Sequence, residues 1–196
     1  MTIQHSTITD PQIHEPKGVA AADAKTVYVA DGAGSGSWQP LKQTGWGYYT
    51  DNGSGQVVGT TAVKLSINAN TTILSEMPTG VSNFWDSANN KITPDTIGDA
   101  YNLRITLPIT AKSGSPTAIT IQLDIGGGVS PTTVIYEDYK STSFAATPTI
   151  NFPFTIYSLN TFKTNGGQLF FKVDTGTVTI TSPAIFISRF HKGNGA

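Results

Sequence analysis

The residues of this chain that could do chemistry are few and scattered. Of the three histidines, His5 and His14 stand near the start and His191 near the end. No two share a strand or a helical face, so a histidine metal centre is not expected. Cysteine is absent, which excludes a disulfide framework and a thiolate zinc site. Glu76, Asp86, Asp95, Asp99, Glu137 and Asp138 are candidates for the carboxylate pair that glycan hydrolysis places across a cleft. Most fall in turns or in one long connection, and nothing in their spacing converges any two. Solvated loop charges are the simpler reading, and no Ser–His–Asp grouping stands out. Asp51-Asn52 and Asp124 beside glycines offer oxygens to calcium, but without the calcium-loop spacing they read as turn formers. Asp31 to Gly36 lacks the Lys-Ser/Thr ending of a phosphate-binding loop, and no helical pattern follows it, so it reads as a connector. The expectation is a protein that is not an enzyme and holds no metal and no cofactor.

Composition says what must carry the remaining residues. Formal charge is -1, with Lys+Arg 12 against Asp+Glu 13, which offers no footprint for nucleic acid or an anionic membrane. Charged residues make up 13% of the 196 residues, against roughly 25% in ordinary soluble domains. Helical surfaces are usually covered by Lys, Glu and Arg, so this poverty argues for strands whose outer faces carry Thr, Ser and Asn. No run approaches the ~18 apolar residues of a membrane span, and no basic-then-apolar leader opens the chain. A soluble product, not exported by a classical signal, is expected.

Residues 1–44 read as an extended N-terminal arm: polar, punctuated by prolines, and too poor in apolar residues to fold alone. One exception is the β-branched and aromatic run Thr26–Ala30, broken by the glycine-rich residues 31–37. Trp38 and Leu41 resume apolar character at the junction with the body, residues 45–196.

In the body Tyr101, Leu103, Ile105, Leu107 and Ile109 occupy every second position, the period of a half-buried strand. Ile119, Ile121, Leu123 and Ile125 repeat the pattern, as do Ile150, Phe152, Phe154 and Ile156. Further strands are expected over 46–50, 61–67, 71–74, 134–139, 167–174, 178–181 and 184–190, separated by Gly-, Asn- and Pro-containing turns. No segment keeps a helical period, so the body is all-β. Uneven connections, including a long one over 76–99, fit an antiparallel two-sheet jelly roll better than a propeller. An up-and-down barrel or an immunoglobulin-like sandwich is the alternative.

Aromatic residues cluster at Trp46, Tyr48 and Tyr49 and again at Phe84 and Trp85. Alternation is expected to turn Trp46, Tyr48 and Val57 into the sandwich and leave Tyr49 outward. Tyr49, Phe84 and Trp85 are then candidates for stacking a glycan ring or for subunit contact, while core packing, which uses the same residue types, is the simpler reading of such aromatics.

The phrase His14-Glu15-Pro16-Lys17-Gly18-Val19, followed by Thr26–Ala30 and by Gly34-Ser35-Gly36-Ser37-Trp38, resembles the N-terminal segment of tailed-bacteriophage virion proteins: head fibres, capsid decoration proteins and some tail-fibre components. The part from Trp46 through residues 101–109 to 185–189 resembles the tumour-necrosis-factor-like trimeric jelly roll often placed behind such arms. The resemblance implies a non-enzymatic homotrimer, made in the host bacterial cytoplasm and located on the capsid surface of the virion. Its arm would bind the major capsid protein through His14, Glu15, Pro16, Lys17, Val27, Tyr28 and Val29, with Trp38 and Leu41 seating the base of the trimer and residues 32–37 as a hinge. A tail-fibre or receptor-binding tip that recognises host surface glycan is the alternative. A chain without coiled-coil heptads or β-helix repeats suits a short capsid fibre better.

Overall fold

The computed structural model describes residues 26–30, 36–53, 55–141 and 147–195. The chain divides into two compact units, Met1–Lys42 and Gln43–Ala196. His5, His14, Glu15, Pro16 and Lys17 lie outside the described residues, as do residues 32–35 of the expected hinge.

In the first unit β1 (Thr26–Ala30) pairs antiparallel with β2 (Gly36–Pro40). Gly36 and Ser37, placed in the hinge by the sequence reading, belong to β2. The second unit runs β3 (Gly45–Thr50), β4 (Gln56–Val58), β5 (Val63–Lys64), β6 (Thr71–Ile73), β7 (Trp85–Asp86), β8 (Lys91–Ile92), β9 (Ala100–Ser113), β10 (Ala118–Asp124), β11 (Val134–Ser141), β12 (Thr149–Tyr157), α1 (Asn160–Asn165), β13 (Gln168–Val173), β14 (Thr177–Ile180) and β15 (Ala184–His191).

Two antiparallel sheets form the body. The smaller has the order β11-β10-β13-β5; in the larger, β4-β14-β9-β15-β3-β6, strand β12 adds to β9. β14 and β15 run one after the other along the long β9, pairing with its second and first halves. The body is a two-sheet jelly-roll sandwich.

Alternation fills the space between the sheets. Leu103, Ile105 and Leu107 of β9, Phe152 and Phe154 of β12, and Ile185 and Ile187 of β15 point inward and are buried. They meet Ile119, Ile121, Leu123, Leu169 and Phe171 of the smaller sheet. Phe152 and Phe171 have ring centroids 6.0 Å apart. Each fully buried side chain of this size is worth about 1.5–3 kcal/mol in area removed from water.

β3 reverses the sequence expectation. Tyr49 is buried at 1% exposure, while Trp46 and Tyr48 are half-buried and Val57 is 59% exposed. With aromatic residues on both faces, apolar alternation cannot choose the inward one. Gly47 chooses it: a Cβ there would lie 2.6 Å from the Tyr49 hydroxyl, so the missing side chain leaves the inward position to the tyrosine ring. The Phe84 N–H donates to the Tyr49 hydroxyl oxygen at 2.8 Å. Burial pushes the Tyr49 phenol up from its usual pKa against the opposing effect of that bond. Replacing Tyr49 by Phe leaves the buried Phe84 N–H unpaired and is expected to cost about 1–3 kcal/mol. A lower urea midpoint at unchanged m-value would show it.

The connection over 76–99 is not a solvated loop. β7 and β8 form a short hairpin within it, Phe84 meets Tyr101 edge-on at 5.2 Å, and the Trp85 indole N–H donates to Ile67 O at 2.9 Å. Helix α1 was not legible either. It buries Phe162 and ends at Gly166, whose φ of 77° suits glycine.

Candidate interaction surfaces

In the hairpin the register sets Tyr28 opposite Trp38 and Val29 opposite Ser37. Tyr28 and Trp38 therefore share a face, and their rings meet edge-on with centroids 5.5 Å apart. Val27 and Val29 lie on the other face, in register with Gln39 and Ser37, so the ribbon carries apolar residues on both sides. Two strands alone are marginal in water, and such a ribbon suits burial on both faces. The strand expected to dock on a partner already has one neighbour in its own chain. What remains for strand addition is an outer edge of the pair. Leu41, expected at the junction, is 53% exposed.

Tyr49, Phe84 and Trp85 are corrected as surface residues. At 1%, 0% and 3% exposure they belong to the core and offer no ring to a glycan or a second subunit. The half-exposed aromatic residues sit elsewhere. Across the outer face of the larger sheet, registers align Pro153, Arg104, Phe186, Tyr48 and Ile73 in one row over five strands. Trp46 packs on Phe186 at 5.4 Å between centroids, and the Arg104 guanidinium lies 5.6 Å above the same ring. Sequence reasoning missed this row. Its signal was present in Phe186 between the inward Ile185 and Ile187, but only the register shows that it neighbours Tyr48.

A second surface is the flank where edge strands β11 and β12 approach. Tyr136 stacks on Phe154 at 4.1 Å. Burial, then the Asp138 charge, pushes the Tyr136 phenol upward in pKa. Beside them a groove of about 180 Å³ is lined by Ile125, Ile135, Ile156, Tyr157, Leu159 and Phe162 among others.

Asp95 and Asp99, which spacing alone could not converge, meet on Arg189, whose Nη1 is 2.6 Å from Asp95 Oδ2 and 3.3 Å from Asp99 Oδ2. The Tyr101 hydroxyl donates to Asp99 at 2.7 Å, and the Gly193 and Thr96 N–H groups donate at 2.8 and 2.9 Å. Burial pulls the Asp99 carboxyl upward, but these donors and Arg189 outweigh it and hold its pKa below the usual value. With Arg189 at 1% exposure and Asp99 at 0%, the cluster ties the C-terminal segment to the start of β9.

Asp124 spends its oxygens on the N–H groups of Gly126, Thr132 and Thr133, and Asp51 on those of Gly53 and Asn68. Both are turn formers. Among the described residues no group of three or more His, Cys, Asp or Glu is placed to hold a metal ion.

Strands and sheet order together define a two-sheet jelly-roll sandwich. No family model and no curated relative matches the chain. Among solved structures it is similar to PRD1 vertex protein P5, with a TM-score of 0.51 at 9% identity, over 87% of this chain and 84% of that one. It also matches Eiger TNF from S. frugiperda, with a TM-score of 0.45 at 9% identity, over 77% of this chain and 95% of that one. The Tobacco streak virus coat protein matches with a TM-score of 0.36 at 11% identity, over 81% of this chain and 96% of that one. At 9% identity the likeness to the vertex protein shows the fold alone.

Proposed function

We propose that this chain is a non-enzymatic virion structural protein of a tailed bacteriophage. It is a homotrimeric capsid decoration or head-fibre protein, bound to the major capsid protein through its N-terminal arm. The observation that carries the reading is the likeness of the jelly-roll chain to a vertex protein over most of both lengths. The hairpin supports it. Two strands wide, with Tyr28 and Trp38 on one face and Val27 and Val29 on the other, the ribbon offers an outer edge of β1 or β2 that can add to a partner sheet through main-chain hydrogen bonds. Three arms on one trimer multiply a weak single contact where geometry lets them engage together. The reading as a glycan-recognising tail tip loses its three stacking residues to the core.

Deleting residues 1–44 tests the assignment. The body is expected to stay folded and self-associated while its occupancy on particles falls to background in a co-sedimentation assay. Full occupancy by the truncated protein would overturn the role of the arm.

A further inference from the structure

We infer that Asn52 is a site of self-catalysed deamidation: the Gly53 backbone nitrogen attacks the Asn52 side-chain amide, with Asp51 as the base and Asn68 as the donor that polarises the amide carbonyl.

Three asparagines are followed by glycine: Asn52, Asn165 and Asn194. A glycine has no side chain to shield its backbone nitrogen, so in each pair that nitrogen can close a cyclic imide on the preceding carboxamide. The fold treats the three differently. At Asn165 the Gly166 N–H donates to Phe162 O at 2.9 Å at the end of α1, and the side-chain Nδ2 donates to Ile125 O at 2.8 Å. At Asn194 the Gly195 N–H donates to Ile97 O at 3.3 Å. Both acceptors are backbone carbonyls, which take up no proton near neutrality. Gly53 instead gives its N–H to a carboxylate, Asp51 Oδ2, at 2.7 Å. A Cβ on residue 53 would lie 2.6 Å from that oxygen, so glycine is what permits the approach.

The carbonyl end is arranged as well. Strands β3 and β6 pair Thr50 with Thr71, which brings the residues after β3 beside those before β6. Asn68 is held there by its own N–H, which donates to Asp51 Oδ1 at 2.8 Å, and by its Oδ1, which accepts from the Asn70 N–H at 3.0 Å. The second bond fixes which end of the Asn68 carboxamide is oxygen. The Nδ2 end donates to Asn52 Oδ1 at 2.7 Å. Negative charge develops on that Oδ1 when Cγ is attacked, and a donor already in place lowers the barrier. Asn52 is exposed, and Asp51, Gly53 and Asn68 border a polar cleft of about 350 Å³ that admits water and lets ammonia leave.

The reaction balances with water as the one co-reactant. The Gly53 N–Cγ bond forms as the nitrogen's proton passes to Asp51. The tetrahedral adduct then breaks its Cγ–Nδ2 bond, and the nitrogen departs as ammonia with the proton that Asp51 returns. Water opens the imide at either carbonyl. Addition at Cγ leaves aspartate; addition at the backbone carbonyl leaves isoaspartate, with the chain running through Cγ.

Peptide mapping by mass spectrometry tests this on the full chain incubated at neutral pH, folded and in guanidinium chloride. Asn52 is expected to deamidate about tenfold or more faster in the folded chain, while Asn165 and Asn194 gain nothing from folding. Isoaspartate at position 52 is expected beside aspartate, since direct hydrolysis of the side chain yields aspartate alone. A folded rate at Asn52 equal to or below the unfolded rate overturns the proposal without recourse to any variant. Asp51→Ser and Asn68→Ala, checked for folding by circular dichroism, are each expected to slow the folded reaction by about tenfold. A folded variant that keeps the wild-type rate overturns the role given to that residue.

Discussion

Replacing Arg189 by methionine is expected to destabilise the body by about 3–5 kcal/mol, the usual cost of removing one partner from a buried ion pair. The methionine keeps much of the volume of the side chain but leaves Asp99, at 0% exposure, as a buried carboxylate without its cation. It also frees the Gln43 carbonyl, to which the Arg189 Nε–H donates at 2.9 Å. The pH dependence separates this mechanism from simple loss of packing. In the wild type the Asp99 carboxyl sits below its usual pKa. Its contribution is therefore complete above the ordinary carboxylate pKa of about 3.9 and fades as pH falls through the lower folded value. In the variant, protonation relieves the uncompensated charge. The stability gap between the two proteins should be widest near neutrality and shrink in acid. A gap that is flat with pH in urea titrations would locate the loss in packing instead.

Replacing Phe152 by alanine is expected to cost about 3–5 kcal/mol as well, here from lost burial and the cavity left behind. Phe152 is at 0% exposure, faces Phe171 across the sandwich, and lies 5.9 Å from the Lys140 ammonium. Strands β9 and β12 hold its backbone on one side through the Phe152–Ile105 register pair, so collapse into the space is limited. Unlike the Arg189 variant, this one should lose stability equally at neutral and mildly acidic pH. An effect below about 1 kcal/mol would mean that the two sheets close over the gap.

The strands that define the sandwich were legible because one face of each is dry. In β9 every inward residue from Tyr101 to Ile109 is apolar and buried, and the residues between are polar or proline. β10 and β12 repeat this over their lengths. Where both faces carry aromatic residues, as at Trp46, Tyr48 and Tyr49, periodicity loses its power. A glycine two residues away decided the outcome. β2 was hidden by its glycine and proline ends, although Trp38 opposite Tyr28 holds it in place. The two-residue strands β7 and β8, and the six-residue α1, are too short to show any period. They exist because Trp85, Ile92 and Phe162 find burial against distant parts of the body.

The sequence by itself determined the all-β class, the dry face of the long strands, and the absence of cysteine chemistry. These follow from residue type and from spacing within one strand, where neighbours in the chain are neighbours in space. Tertiary structure alone decided that Asp99 and Arg189, 90 residues apart, share one buried site. It also gathered Pro153, Arg104, Phe186, Tyr48 and Ile73 from five strands into one row. Their register depends on backbone pairing between strands distant in sequence, and periodicity along one strand carries no information about which residue lies opposite on the next.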